Sequence, residues 1–207
     1  KQKTIAKEVT LSGVGLHTGK SVTMTFKPAP ENYGYAFVRV DLEGNPVIEA
    51  DANYVVTTQR GTNLEKHGVH INTSEHVLAA LVGLQIDNCI IELNSSEPPI
   101  MDGSSKYFIE VLETAGFTEQ EAFVEEYVVK EIISYKDEKT GSEILIMPSD
   151  KYELTAMVDF GTNVLGTQNA SINEISEFKK EISDSRTFSF LHEIEMLLDH
   201  GLIKGGD

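Results

Sequence analysis

Alternation of apolar and polar positions predicts strands over much of the first hundred residues. Apolar side chains recur at every second position, with Lys7 as the exception, in the segments 5–11, 22–27 and 35–40. This period of two is typical of strands that bury one face. Shorter apolar runs at 54–58 and 89–93 predict two further extended segments.

Apolar residues recur at helical spacing in two other places. Positions 77, 78, 81 and 84 form one apolar stripe, which predicts a helix from about Thr73. Positions 108, 109, 111 and 112 form another, which predicts a helix that begins after Ser104. Gly116 is well placed to end this second helix, because glycine readily adopts the left-handed backbone conformation that follows many helices.

The order of strands followed by helices starts again after an acidic stretch at 118–121. Strands are expected at 127–135, 143–147 and 152–160, and a helix at 187–200. The fold class predicted is therefore α+β, with two similar units that each layer a mostly antiparallel sheet against helices. We expect the units to be residues 1–120 and 121–207, the second incomplete because it lacks one strand and one helix relative to the first.

Composition and charge narrow the class of protein. The 207 residues are 40% hydrophobic and include 33 acidic against 17 basic side chains, a formal charge of -16. Such a charge repels phosphate backbones, so no nucleic-acid partner is expected, and an anionic ligand would need a locally basic pocket. No apolar run approaches the roughly 18 residues of a membrane span. We expect a cytoplasmic protein, with the single Cys89 buried in a strand.

Glu75 and His76 are the first candidates for chemistry. They fall in the first turn of the predicted helix, where Asn72 or Thr73 is the expected N-cap. Adjacent helical residues point about 100° apart, so an imidazole can bind a metal while the neighbouring carboxylate reaches a water on it. The pair is equally compatible with a capping glutamate followed by an ordinary surface histidine.

Two further segments carry candidate side chains. A glycine-rich turn at 13–19 presents His17 at its tip, which suits close approach to a ligand but also a plain hairpin. Thr187 precedes Phe188 and Phe190 at the start of the last predicted helix, where a cap with core phenylalanines is the simpler interpretation. Spacing alone does not decide between these readings.

Taken together, five segments in this order resemble the zinc-dependent UDP-3-O-acyl-N-acetylglucosamine deacetylases of lipid A synthesis in Gram-negative bacteria. The resemblance runs essentially from Thr4 to Asp207. The segments are GVGLHTG (13–19), TSEH (73–76), PIMDGS (99–104), SRTF (185–188) and GLIKGG (201–206).

The resemblance implies a role for each candidate residue. His76 would be a zinc ligand, Glu75 the general base, and Thr187 a donor to the oxyanion. His17 would face a nucleotide-sugar acyl substrate, and Phe188 and Phe190 would line the passage for its fatty-acyl chain. The two units of this family pack helix layer against helix layer with the active site between them, and the reaction releases the acetyl group as acetate.

The resemblance also implies that part of the zinc site is missing. The family's other two zinc ligands, from a His-x-x-x-Asp motif, and a further histidine that acts as an acid fall beyond Asp207. We therefore expect this chain to bind zinc weakly or not at all, to be inactive, and to self-associate through apolar surface on its second unit. The alternatives are a non-catalytic binding or assembly module and a different zinc amidohydrolase.

Overall fold

The computed structural model describes residues 1–58, 61–191, 194–195 and 204–205. Its α-helices are α1 (Glu75–Gly83), α2 (Lys106–Ala115) and α3 (Phe178–Glu181), with short 3-10 helices at Ala52–Tyr54 and Ile175–Glu177. Its strands are β1 (Lys3–Ile5), β2 (Val9–Val14), β3 (Ser21–Pro28), β4 (Tyr35–Arg39), β5 (Val47–Glu49), β6 (Val55–Thr57), β7 (Asn63–Lys66), β8 (Val69–Ile71), β9 (Cys89–Leu93), β10 (Phe117–Glu119), β11 (Ile133–Lys136), β12 (Glu143–Ile146), β13 (Leu154–Asp159) and β14 (Thr167–Ile172).

The main sheet has five strands in the order β2-β3-β9-β4-β5. All neighbours in it are antiparallel except β4 and β9, which run parallel. In β3 the side chains of Val22, Met24 and Phe26 are fully buried, whereas Thr23 between them is exposed. The alternation predicted from the sequence therefore selects the face of the sheet that forms the core.

Helices α1 and α2 cover that face. Val77 and Leu81 of α1 and Phe108 and Leu112 of α2 belong to the same cluster of buried side chains as the inner face of the sheet. Each fully buried side chain of this size contributes roughly 1.5–3 kcal/mol. Gly116 ends α2 with φ 67°, as its position predicted.

Smaller sheets surround this core: β6-β7-β8, the pair β1-β10, and the hairpins β11-β12 and β13-β14. Nearly every residue of the two hairpins is exposed, but Ile172 and Phe178 join the core cluster. The α+β class with mostly antiparallel sheets is confirmed.

Two predictions for the second half need correction. The first strand begins at Ile133 rather than near 127, and residues 187–190 are not helical. Residues 191, 194 and 195 of the predicted helix are helical, and the rest of it lies outside the described residues. Strand β14 was not predicted. The lone Cys89 is buried in β9, as expected. Among the described residues, no helix is long and apolar enough to cross a membrane.

Candidate active site

Helix α1 begins one or two residues later than the capping pattern predicted. Ser74, not Asn72 or Thr73, precedes its first residue. The side chain of Ser74 does not cap the helix; its hydroxyl and its N–H donate to the Thr62 carbonyl at 2.9 Å and 3.1 Å. Thr73 has the left-handed φ of 53° and so cannot take the extended conformation of a usual N-cap. The start of α1 is set by contacts with a neighbouring loop.

Glu75 and His76 both reach the surface at this helix end. Glu75 Oε2 accepts a hydrogen bond from the N–H of Thr62 at 2.8 Å, while its Oε1 lies 3.8 Å from His76 Nε2. The side chains are 38% and 16% exposed, respectively. The carboxylate is thus fixed through one oxygen and placed beside an imidazole through the other.

The turn that carries His17 is fixed by a carboxylate from another segment. The N–H groups of His17 and Thr18 donate to Glu97, at 3.1 Å and 3.2 Å for His17 and 2.9 Å for Thr18. The hydroxyl of Thr73 donates to Glu97 Oε1 at 3.1 Å. The His17 turn and the segment entering α1 therefore meet on one buried side chain.

Sequence reasoning missed Glu97, which stands directly before Pro98 and Pro99. It is fully buried and is the one buried carboxylate among the described residues. The residue follows no apolar period and matches no motif on its own. Only its three donors, which come from two distant segments, reveal its position.

Thr187 lies at a different edge, beside the loop that enters α2. Its N–H donates to the Gly103 carbonyl at 2.8 Å, and a Cβ on Gly103 would lie 3.4 Å from Thr187 Cγ2. Next to it, Arg186 Nε lies 3.5 Å from Asp102 Oδ2. Partial burial acts to raise the pKa of Asp102, but hydrogen bonds from Ser104 and the charge of Arg186 outweigh it and hold that pKa below its usual value.

A cleft of about 910 Å³ opens between this loop and the glycine-rich turn. Thr187, Arg186 and Lys204 contribute to its walls, and Glu75, His76 and His17 do not. The other lining residues come from these two segments, from the first turn of α2 and from position 205: Gly13, Val14, Leu16, Ile100, Met101, Asp102, Gly103, Tyr107 and Gly205.

The loop that enters α2 contacts both His76 and Thr187, which lie in different parts of the candidate site. The Ser105 hydroxyl donates to the His76 carbonyl at 3.1 Å, and the Ser105 N–H donates to the Ser183 carbonyl at 3.1 Å. Gly103, two residues earlier, holds Thr187. The structure therefore ties Thr187 to the same loop as His76, without placing the two side chains in one cavity.

Phe188 and Phe190 belong to an aromatic row with Phe160. Ring centroids are 4.8 Å apart for Phe160 and Phe188 and 6.0 Å for Phe188 and Phe190, both edge to face. Phe188 is 58% exposed, so the row is an apolar surface and not part of the core.

A metal centre is not completed by the residues that the structure describes. Among them, no three His, Cys, Asp or Glu side chains come together in a way that could hold an ion. A catalytic zinc needs three protein ligands and one open position. His76, accessible and next to a carboxylate, can supply one ligand.

The described features are those of an α+β module that places a carboxylate beside an imidazole at the start of a helix. Residues 2–207 match the family model for UDP-3-O-acyl N-acetylglycosamine deacetylases, LpxC, and the chain belongs to this family. It is 47% identical over 207 residues to the bifunctional enzyme LpxC/FabZ of Bacteroides thetaiotaomicron, covering all of this chain and 45% of that protein.

Relatives with a single named activity match over a larger share of their length. The UDP-3-O-acyl-N-acetylglucosamine deacetylase of Myxococcus xanthus is 41% identical over 99% of this chain and 65% of its own length. That of Saccharophagus degradans is 42% identical over the whole chain and 68% of its own length. The chain thus spans under half of its bifunctional relatives and about two thirds of these deacetylases.

Proposed function

We propose that this chain is the part of a zinc-dependent deacetylase that carries the general base and one metal ligand. The parent enzyme would hydrolyse the N-acetyl group of UDP-3-O-acyl-N-acetylglucosamine in the cytoplasm, releasing acetate in lipid A synthesis. The observation that carries the proposal is the fixed Glu75 carboxylate beside accessible His76, in a chain of this family.

Glu75 is suited to accept a proton from an attacking water. Its Oε2 is held by the Thr62 N–H, so Oε1 is presented beside the imidazole with little freedom. A fixed base of this kind contributes typically about 10²–10⁴-fold to rate. A bound zinc would supply a water of lowered pKa and polarise the acetyl carbonyl.

The remaining candidates bind and orient the substrate in this proposal. By resemblance to the family, the Thr187 hydroxyl is assigned to the developing oxyanion. Its backbone is held at Gly103, in the loop whose Ser105 hydroxyl contacts the His76 carbonyl. His17 is assigned to substrate contact, and the exposed row that contains Phe188 and Phe190 to the acyl chain.

An anionic substrate would be repelled by the overall negative charge of the chain, and the cleft has cations that offset this repulsion locally. The chain carries a formal charge of -16, yet Arg186 and Lys204 both line the cleft. One carboxylate, Asp102, also lines the cleft and lies beside Arg186, so the opening has two cations against one anion. This local positive excess attracts a diphosphate, and the effect is short-ranged because salt screens charges beyond about 8–10 Å. We assign the nucleotide diphosphate to this opening.

The test is acetate release by the full-length parent protein. We expect Glu75→Gln to lower kcat by about 10²–10⁴-fold with KM nearly unchanged, because the amide cannot act as a base. Glu110→Gln, the same change at an exposed position of α2, serves as the matched control. A Glu75→Gln enzyme that keeps more than a tenth of the wild-type kcat would refute this assignment.

The isolated 207-residue chain is a separate case. Since the described residues supply His76 but no set of three ligands, we propose that it holds zinc weakly or not at all, is inactive, and acts at most as a binding module. Stoichiometric zinc retained after dialysis against a weak chelator would contradict this.

Self-association of the isolated chain is also proposed. On one face of the β11-β12 hairpin, Ile133 pairs with Ile146 and Tyr135 with Ile144, and all four are exposed. Exposed apolar patches of this kind favour association. Light scattering that shows a monomer at high concentration would count against it.

A further inference from the structure

Glu97 is a buried charge without a cationic partner among the described ion pairs. Its exposure is 0%, and a buried carboxylate costs several kcal/mol unless hydrogen bonds satisfy it. Here the compensation comes from the N–H groups of His17 and Thr18 and the hydroxyl of Thr73. The side chain is therefore held by polar groups of two loops that are more than fifty residues apart in sequence.

Both loops lead directly into proposed site residues. The donors of the first loop include His17 itself, and Thr73 lies two residues before Glu75. Thr73 is kept at a φ of 53°, a conformation that costs a non-glycine residue about 1–2 kcal/mol. Such strain persists only where the surroundings impose it, and the Glu97 hydrogen bond is one of the contacts that does so.

A third segment shows how closely Thr73 and Glu75 are coupled. A Cβ built on Gly61 would lie 3.2 Å from both Thr73 Cα and Glu75 Oε1. A shift of Thr73 would therefore disturb the 61–62 loop, whose Thr62 N–H holds the Glu75 carboxylate. Two contacts limit such a shift: the Thr73 hydroxyl donates to Glu97 and the Thr73 N–H donates to Asn63 Oδ1 at 3.1 Å.

We propose that Glu97 is a positioning residue for the reaction: its carboxylate holds the His17 turn and the segment entering α1 at a fixed position relative to each other. His17 and the Glu75–His76 pair thereby face one substrate at a constant separation. The proposal rests on the proposed function, since this relative position matters for rate only if these side chains act together.

Glu97→Gln tests this relative position with little change of shape. The amide keeps one acceptor oxygen where the carboxylate has two and carries no charge. The N–H groups of His17 and Thr18 must then share that oxygen while the amide N–H₂ faces the Thr73 hydroxyl, so the hold on the turn is weakened. In the full-length enzyme we expect kcat to fall about 100-fold with KM changed less than about threefold, because a misplacement near 1 Å costs on that order. Glu92→Gln, a carboxylate of β9 paired with Lys27, is the matched control and should keep kcat within about twofold.

Thr73 provides a second variant that leaves the carboxylate intact. Thr73→Val removes the hydroxyl that donates to Glu97 but keeps a β-branched side chain, and we expect kcat about tenfold lower. Thr73→Ser should recover most of that loss because the donor returns. If Glu97→Gln does not fold, the comparison of Thr73→Val with Thr73→Ser still tests the proposal. Equal kcat values for these two variants would overturn it. A folded Glu97→Gln enzyme with kcat within threefold of wild type would also overturn it.

Amide hydrogen exchange in the 207-residue chain separates this idea from the proposed function. In Glu97→Gln, the His17 and Thr18 amides should exchange at least tenfold faster, while the Leu81 amide within α1 should not change. Unchanged exchange at His17 and Thr18 would overturn the hold of Glu97 on the turn. A wild-type enzyme without deacetylase activity would instead refute the proposed function, and the exchange result would stand.

Discussion

Gly83, the last residue of α1, is in contact with the ring of Phe178. A Cβ built on Gly83 would lie 2.7 Å from both Cε1 and Cγ of that ring, with Cδ1 closer still. Carbon atoms pack at about 3.5–4.0 Å, so the ring would have to retreat by about 1 Å or more. Gly83→Ala is therefore a test of how α3 docks on α1.

Two effects of opposite sign determine the stability of this variant. Alanine is favoured over glycine within a helix by about 1 kcal/mol. Forcing an extra methyl into a packed site costs typically about 1–3 kcal/mol, and the ring is only 8% exposed, so it cannot swing freely into solvent. We expect the clash to prevail, with Gly83→Ala lowering the free energy of unfolding by about 1–2 kcal/mol.

Urea unfolding followed by far-UV circular dichroism measures this, since the chain has no tryptophan. Phe178→Ala alone should cost about 3 kcal/mol, the low end for a buried ring, because Phe178 lies at the margin of the core. In that background Gly83→Ala no longer meets a ring and should raise stability by up to about 1 kcal/mol. The change of sign between the two backgrounds is the expected signature of direct contact.

If Gly83→Ala is as stable as wild type while Phe178 is present, the predicted clash with the ring does not occur. The same effect of the substitution in both backgrounds would also contradict a direct contact, since the two residues would then act independently.

Three further predictions concern parts of the fold away from α1. The hydrogen bond from Arg39 lowers the pKa of Asp41; such a group stabilises the fold above its unfolded pKa of about 3.9 and loses that effect as pH falls through the folded pKa. Asp41→Asn should therefore flatten the fall of the urea midpoint below about pH 4, and an unchanged acid limb would contradict this. Burial raises the pKa of Cys89 to about 12, so iodoacetamide at pH 8 should label this thiol only after unfolding in urea, and rapid labelling of the native chain would be the opposite result. Gly19 and Gly44 both have left-handed φ values, 64° and 78°, but only Gly19 has another segment within contact distance. Gly19→Ala should thus cost at least about 1 kcal/mol more than Gly44→Ala in urea unfolding, and equal costs would mean that backbone strain alone matters.

Local periodicity was enough to predict the inner strands and both long helices. Val22, Met24 and Phe26 face the core because a strand alternates its side chains, whatever else surrounds it. The parallel pairing of β4 with β9 could not be predicted in this way. It joins strands about fifty residues apart, and nothing in either strand's alternation specifies that neighbour.

At the start of α1, contacts with other loops override the N-cap preference of the local sequence. Thr73 is a good N-cap by residue type, but its hydroxyl is taken by Glu97, and Ser74 instead bonds the Thr62 carbonyl twelve residues earlier. The boundary was misplaced because both contacts are with other loops. The Glu75–His76 pair was nevertheless identified correctly as lying in the first turn, because that assignment needs only the helical stripe that follows it.

Two glycines of the glycine-rich turn are required because other segments pack against them, which the sequence alone could not show. A Cβ on Gly13 would lie 2.9 Å from Pro99 Cβ, and one on Gly15 would lie 2.7 Å from Glu97 Oε2. Neither glycine has a positive φ, so their requirement is space and not backbone freedom. A larger side chain at either position would push the 97–103 segment away from the turn, and with it the wall of the cleft that holds Thr187. Gly13 and Gly15 thus allow the turn and the 97–103 segment to pack closely, which brings distant site residues together. Because this requirement depends on the other segment, the turn's own sequence does not reveal it.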